Sequence, residues 1–306
     1  MMDIMLICWK NESVPGRVRD SFLPINMIVI MLMAKDKDKK MNDRNNGVAV
    51  ITGASTGIGK VYADRFAKRG YDLLLVARDG ERLATIANSL SEQYGVQVET
   101  LAADLTDRDA LKNLESRLQA DKTVSVLVNN AGFGGTKSLV DSSVDQLENM
   151  IFLNVTALTR LTAAVLPNLI EKNSGAVINI ASVVAVNPDA LNGTYSGTKA
   201  YVLNFTQSLF NTLEETDVQV QVVLPGATRT EFWDRAGLPI HNLPEENVMS
   251  AEDCVDAALV AFDAKELVTI PALPDVELWN RYEQARLALY PFLSSKEAAE
   301  RYIPKA

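Results

Sequence analysis

Histidine is almost missing from this chain: His241 is the single one in 306 residues. A metal site built from several imidazoles is therefore excluded, and no metal is expected. A histidine-based catalytic triad would have to rest on that one residue. Cysteine is nearly as scarce. Cys8 and Cys254 form neither a disulfide framework nor a metal-binding pattern, which predicts a reduced, cytoplasmic setting. There is no basic surplus either. A formal charge of −9 excludes a general affinity for nucleic acid or anionic membrane, because nothing is left over to neutralise phosphates. The longest apolar run, FLPINMIVIMLMA at 22–34, is short for a bilayer span.

What is present is an ordinary globular balance, 47% hydrophobic and 23% charged. The first 46 residues differ from the rest. Their apolar run is followed by KDKDKKMNDRNNG, a solvated-linker composition, and Met41 stands just before the first convincing strand. They read as a dispensable extension, as from translation at an upstream start, with a weak membrane-surface anchor as the alternative.

From Gly47 onward, short apolar strands alternate with helical patterns. Strands are expected at 48–52, 72–77, 96–104, 124–130, 175–182 and 218–225, and a last one at 267–273. Helices are expected at 57–69, 80–95, 106–120, 143–171 and 195–215. Strands apolar on both faces with helices between them imply one α/β domain, doubly wound around a parallel sheet, over 47–273. Residues 274–306 read as a helical tail. In it Leu278, Tyr282, Ala285, Leu289 and Phe292 share a helical face, as core or subunit packing.

ITGASTGIGK joins the first strand to the first helix and carries Gly53, Gly57 and Gly59. Such a turn lets backbone approach a pyrophosphate, and the helix N-terminus offers free N–H groups and a positive dipole end. Dinucleotide binding is expected there. At the end of the second strand, where an NAD site usually has a carboxylate for the ribose hydroxyls, Ala77 and Arg78 come first and Asp79 follows. A guanidinium there suits a 2′-phosphate. NADP (NADPH) is therefore preferred over NAD, unless Arg78 is only a solvated helix-start residue.

In GTYSGTKAY, Tyr195 and Lys199 lie four apart, on one helical face about 5–6 Å apart at Cβ. By spacing alone they are either an acid–base pair or two ordinary helix residues. A phenol titrates near 10, and a neighbouring ammonium is expected to lower it toward neutrality. Ser182 ends a strand, where open α/β sheets bind ligands. Asn154 by itself reads as a polar helix-packing residue.

Together these stretches resemble the short-chain dehydrogenases/reductases, in the branch of general ketoacyl- and steroid-type reductases. The glycine motif, AADL at 102–105, NNAG at 129–132, FLNV at 152–155, IASVV at 180–184, YSGTK at 195–199 and LPGATRTEF at 224–232 stand in that family's order. The likeness spans about residues 47–232. It implies a Rossmann fold and reduction of a ketone or aldehyde to an alcohol by hydride transfer. It also implies a catalytic tetrad of Asn154, Ser182, Tyr195 and Lys199, with Tyr195 as the acid/base and Asn154 holding a relay water. Lys199 would also hold the nicotinamide ribose.

Further cofactor contacts are implied for Ser55, Thr56, Ile58, Asp104, Leu105, Asn130, Pro225, Gly226, Thr228 and Thr230, beside the three glycines and Arg78. One departure is Thr56, where many NADP-preferring relatives carry a basic residue. Arg78 must then recognise the phosphate with help from Ser55 or Thr56. The loop 231–250 is the expected substrate loop. Phe232, Trp233, Leu238 and Ile240 in it serve either as an apolar lid over an apolar substrate or as packing on the sheet edge. A homodimer or homotetramer through the helices near 143–171 and 195–215 is implied as well. The alternatives are an NAD-dependent alcohol dehydrogenase and a dinucleotide-binding regulator without turnover.

Overall fold

The computed structural model describes residues 46–303. The reading of residues 1–46 as an extension thus falls, except for its last residue, outside the described residues. Seven parallel strands form one sheet in the order β3-β2-β1-β4-β5-β6-β7. They are β1 Val48–Thr52, β2 Asp72–Ala77, β3 Val98–Ala102, β4 Val124–Asn129, β5 Ala176–Ile180, β6 Gln219–Val223 and β7 Val268–Thr269. The expected doubly wound α/β architecture is therefore present.

Alternate side chains of each strand enter opposite layers. Ala49 and Ile51 of β1 face a layer built with Tyr62 and Phe66 of α1 (Gly57–Lys68), Leu83 and Leu90 of α2 (Gly80–Tyr94), and Val255 and Ala258 of α8 (Ala251–Asp263). Val50 faces the other layer. It holds Leu111, Leu114 and Leu118 of α3 (Arg108–Ala120), Leu161, Val165 and Leu169 of α5 (Leu158–Lys172), and Leu209 of α6 (Gly193–Thr212). Burial on both sides explains why the strands read as unbroken apolar runs.

Three expectations are corrected. The third strand is Val98–Ala102 rather than 96–104, and the last is two residues long rather than 267–273. The stretch near 143–171 is helical, as expected. It is α4 (Val144–Ile151), a π-helical turn at Phe152–Ala157, then α5, and the π turn contains Asn154. This run is long and apolar enough to cross a membrane, but Leu161, Val165 and Leu169 of it pack onto the sheet. The described part of the tail forms α9 (Val276–Leu287) and two single turns; no side chain of these is fully buried, and Trp279 packs half-buried against the core. Leu278, Tyr282, Leu289 and Phe292 are all exposed, so they are not core.

Residues 229–248 make an excursion that leaves and rejoins the domain at one place. Thr228 and Met249 form an isolated parallel bridge, with Met249 N–H donating to the Ala227 carbonyl at 2.9 Å and Arg229 N–H to the Met249 carbonyl at 2.8 Å. Between these points lie α7 (Phe232–Ala236) and two short turns.

Candidate active site

Strand order reverses between β1 and β4, and the crevice beyond their carboxyl ends is where an open sheet binds ligands. A cleft of about 1030 Å³ lies there. Every residue expected in the catalytic tetrad or at the cofactor lines it, with two exceptions: Gly59 and Asn154 are not in its lining.

The glycine turn is shaped by close approach. Gly57 has φ +52°, which disfavours a side chain, and a Cβ there would come within 2.7 Å of the Thr230 methyl. At Gly59 a Cβ would overlap the Gly53 carbonyl and the Asn130 amide. The Asn130 amide donates to the carbonyls of Thr52 (2.8 Å) and Gly53 (3.2 Å), so Asn130 organises the turn as well as lining the cleft. The first turn of α1 carries no acidic residue, and Thr56 at its N-cap makes no side-chain cap bond. Its leading N–H groups and positive dipole end suit an anion.

Arg78 lies exposed on the cleft wall at the end of β2. The neighbouring carboxylate is engaged elsewhere. Asp79 accepts from Arg82 N–H at 3.0 Å as the N-cap of α2, and its other oxygen pairs with the Arg82 guanidinium at 3.2 Å. Asp104 accepts from the Thr106 amide and hydroxyl, shaping the turn after β3, while Leu105 is buried against the core. These residues fit a dinucleotide: glycines where a side chain would have no room, and a helix start without a side-chain cap.

On the other side of the cleft, Ser182 follows β5 and Tyr195 and Lys199 stand on the first turns of α6. All three face the same space. The Asn192 side chain caps α6 by accepting from Thr194 N–H at 2.8 Å, which fixes where the helix starts. Lys199 is buried. Its Nζ donates to the Ile180 carbonyl at 2.8 Å and lies 5.8 Å from the centre of the Tyr195 ring. Burial pushes Lys199 down to about 8.

Burial also raises the Tyr195 phenol above the ordinary tyrosine range, against a hydrogen bond with Ser182 that lowers it. The downward pull expected from Lys199 is not found; the Ser182 hydrogen bond is the lowering influence, and burial exceeds it. Desolvation decides, and the phenol is held protonated. The Asn154 amide donates to the Phe133 carbonyl (2.9 Å) and the Thr198 hydroxyl (3.1 Å), and its oxygen accepts from Phe133 N–H (3.1 Å). It therefore ties the loop after β4 to α6, and π turns often mark such functional positions.

Phe232 lies in the cleft, its ring centre 5.7 Å from that of Tyr195. Trp233 is buried, donating its indole N–H to the Thr228 carbonyl at 2.9 Å, and Leu238 lines the cleft. Ile240 does not line it. Residue reading missed Phe133, Val184, Leu191 and Leu243, which add apolar wall, and Gln146 and Asn149, which add amides. Gln146, Asn149 and Leu153 follow helical spacing, a signal available in the sequence. Arg82 was missed too, although it stands one helical turn after Arg78.

The short chain dehydrogenase family model matches residues 47–238. A short-chain dehydrogenase from Sphingobium yanoikuyae, solved with NADPH, is 46% identical; the match covers 84% of this chain and all of that one, at a TM-score of 0.82. The bulky-bulky ketone specific alcohol dehydrogenase from Comamonas testosteroni is 42% identical over 85% of this chain and all of that one, at a TM-score of 0.78. Among curated proteins, the very-long-chain 3-oxoacyl-CoA reductase of Bos taurus is 34% identical over 214 residues, 66% of each chain. The chain thus spans just under two thirds of that relative's length.

Proposed function

The chain belongs to the short-chain dehydrogenase family, and on that premise we propose that it is an NADP(H)-dependent reductase of bulky, apolar ketones. It is an oxidoreductase of that family. The observation that carries the proposal is the convergence of Ser182, Tyr195 and Lys199 on one cleft whose other end presents the glycine turn and Arg78. When bound, NADPH supplies the hydride.

The chain's own residues do the rest. The Ser182 hydroxyl donates to the carbonyl oxygen as negative charge develops on it. The Tyr195 phenol, held protonated by burial, gives that oxygen its proton. Lys199 stabilises the phenolate left behind, and with a pKa of about 8 it can return a proton near neutrality. Asn154 keeps the loop after β4 and the start of α6 in register. The guanidinium of Arg78 takes the 2′-phosphate, with the Ser55 and Thr56 hydroxyls beside the phosphate groups.

An apolar substrate is supported by Phe133, Val184, Leu191, Phe232, Trp233 and Leu243 around Tyr195, and by the name of the Comamonas relative. The guanidinium on that side, Arg235, is already paired with Glu231, and Lys199 is buried beside Tyr195, which disfavours a phosphate-bearing acyl-CoA. Exposed Ile151, Tyr201 and Phe210 on α4 to α6 support a homo-oligomer.

The test is NADPH oxidation with a ketone carrying an aryl group on either side of the carbonyl, against a 3-oxoacyl-CoA, in wild type and Tyr195→Phe. The variant is expected to bind NADPH within about twofold of wild type and to lose roughly 10³-fold in kcat. Full activity in Tyr195→Phe refutes the mechanism, and preference for the acyl-CoA refutes the substrate class.

A further inference from the structure

The excursion at 229–248 is seated by the buried Trp233, whose indole N–H donates to the Thr228 carbonyl, and by Phe232, which packs with Met150, Val184 and Tyr195. Thr230 packs against Gly57, the Phe232 ring leaves no room for a side chain at Gly134, and the Ala236 carbonyl accepts from the Thr136 amide (3.2 Å) and hydroxyl (2.8 Å). A further tie is ionic. Arg82 Nη1 lies 2.7 Å from Glu231 Oε1. Among the described residues this is the only ion pair that joins the excursion to the remainder of the domain. The other two that involve it, Arg229 with Glu245 and Arg235 with Glu231, lie inside it.

Its position matters more than its strength. Arg82 stands on the wall beside Arg78, at the end assigned to the 2′-phosphate. Glu231 follows Thr230, which lines the cleft over the glycine turn, and precedes Phe232, which lies against Tyr195. The pair therefore links the two lips of the cleft. Each partner is held in place by a second opposite charge, Asp79 on Arg82 at 3.2 Å and Arg235 on Glu231 at 2.8 Å. The result is an alternating chain of four charges across the mouth. Both central side chains are about half exposed, 50% and 45%, so salt reaches them.

We infer that Arg82 and Glu231 form a latch, and that both are positioning residues for the reaction. Closed, the pair holds the segment Thr230–Trp233 across a bound dinucleotide and keeps Phe232 against Tyr195. The pair parts for the dinucleotide to leave. An exposed pair contributes little to static stability, but at a gate even a small contribution appears in a rate. This inference rests on the reading of the cleft as an NADP(H) site.

The test is stopped-flow displacement of bound NADPH, followed by nicotinamide fluorescence, in wild type, Glu231→Gln, Arg82→Gln and the double variant. Glu231→Gln is expected to speed release about threefold, the effect of losing one exposed pair. Added to Arg82→Gln, the same change has no further effect. Raising salt speeds release in wild type and much less in Glu231→Gln. Arg82→Lys restores part of the slow release, and the KM for ketone rises in Glu231→Gln while kcat does not fall. Wild type that fails to bind NADPH overturns the cofactor reading and the latch together. Tight binding with the same release rate in wild type and Glu231→Gln, or additive effects in the double variant, overturns the latch alone.

Discussion

Replacing Lys199 by methionine is expected to abolish turnover and yet stabilise the fold at neutral pH. The ammonium is buried to 6% exposure and its pKa falls from 10.5 to about 8, with desolvation as the cause. That displacement corresponds to roughly 3 kcal/mol by which the folded state disfavours the charged form. The sign follows from linkage. With the folded pKa below the unfolded one, the penalty is complete below pH 8 and disappears as pH rises to about 10.5. Methionine has a similar length, no charge, and adapts to irregular space.

The substitution also removes the bond to the Ile180 carbonyl at 2.8 Å, a loss of about 1–2 kcal/mol for a buried acceptor left without that donor. The variant should therefore be more stable than wild type by about 1–2 kcal/mol at pH 7, and less stable by a similar amount near pH 10.5. Urea unfolding of both proteins at the two pH values measures the difference directly, and effects of other titrating groups cancel between them. A variant less stable than wild type at pH 7, by a margin that does not change with pH, refutes the burial argument.

Other consequences can be checked on the same protein. Arg78→Asp should weaken NADPH binding by about 10- to 100-fold, the effect of losing a charged hydrogen-bonding partner, and improve NADH binding; unchanged NADPH affinity in a fluorescence titration sinks the phosphate assignment. Gly59→Ala places a methyl against the Gly53 carbonyl and the Asn130 amide. It should cost about 1–3 kcal/mol in urea unfolding and most of the dinucleotide affinity, whereas wild-type affinity would show that the turn has slack. Ketone reduction should fall as pH rises through about 8, where Lys199 loses its proton, while alcohol oxidation keeps rising because it needs the phenol deprotonated. A reduction rate that climbs between pH 7 and 9 contradicts this.

Much of the architecture was legible because burial on both faces leaves a plain mark. Val48–Thr52 and Asp72–Ala77 have the bounds that their apolar runs predict. The glycine turn was legible for a related reason, since its glycines answer to backbone crowding that no other residue survives. Asn154 was harder. A π turn differs from an α-helix by one residue in its hydrogen bonding and leaves no periodic trace.

Exposure of the tail was hidden as well, because Leu278, Tyr282 and Phe292 follow helical spacing whether or not anything covers them. The pKa of Tyr195 was misjudged for a physical reason. Spacing shows a neighbouring charge, but desolvation depends on everything packed around the ring. The pairing of Arg82 with Glu231 joins residues 149 apart in sequence, and no local pattern announces it.

The bridge between Thr228 and Met249 makes the segment between them an exchangeable cassette. Its two ends emerge side by side, after β6 and before α8, so a shorter or longer replacement need not move Ser182, Tyr195 or Lys199. Doubling the length of such a loop costs only about 0.6 kcal/mol in closure entropy. Substrate range can thus drift by insertion, deletion or grafting at this one location while the hydride-transfer apparatus is inherited intact.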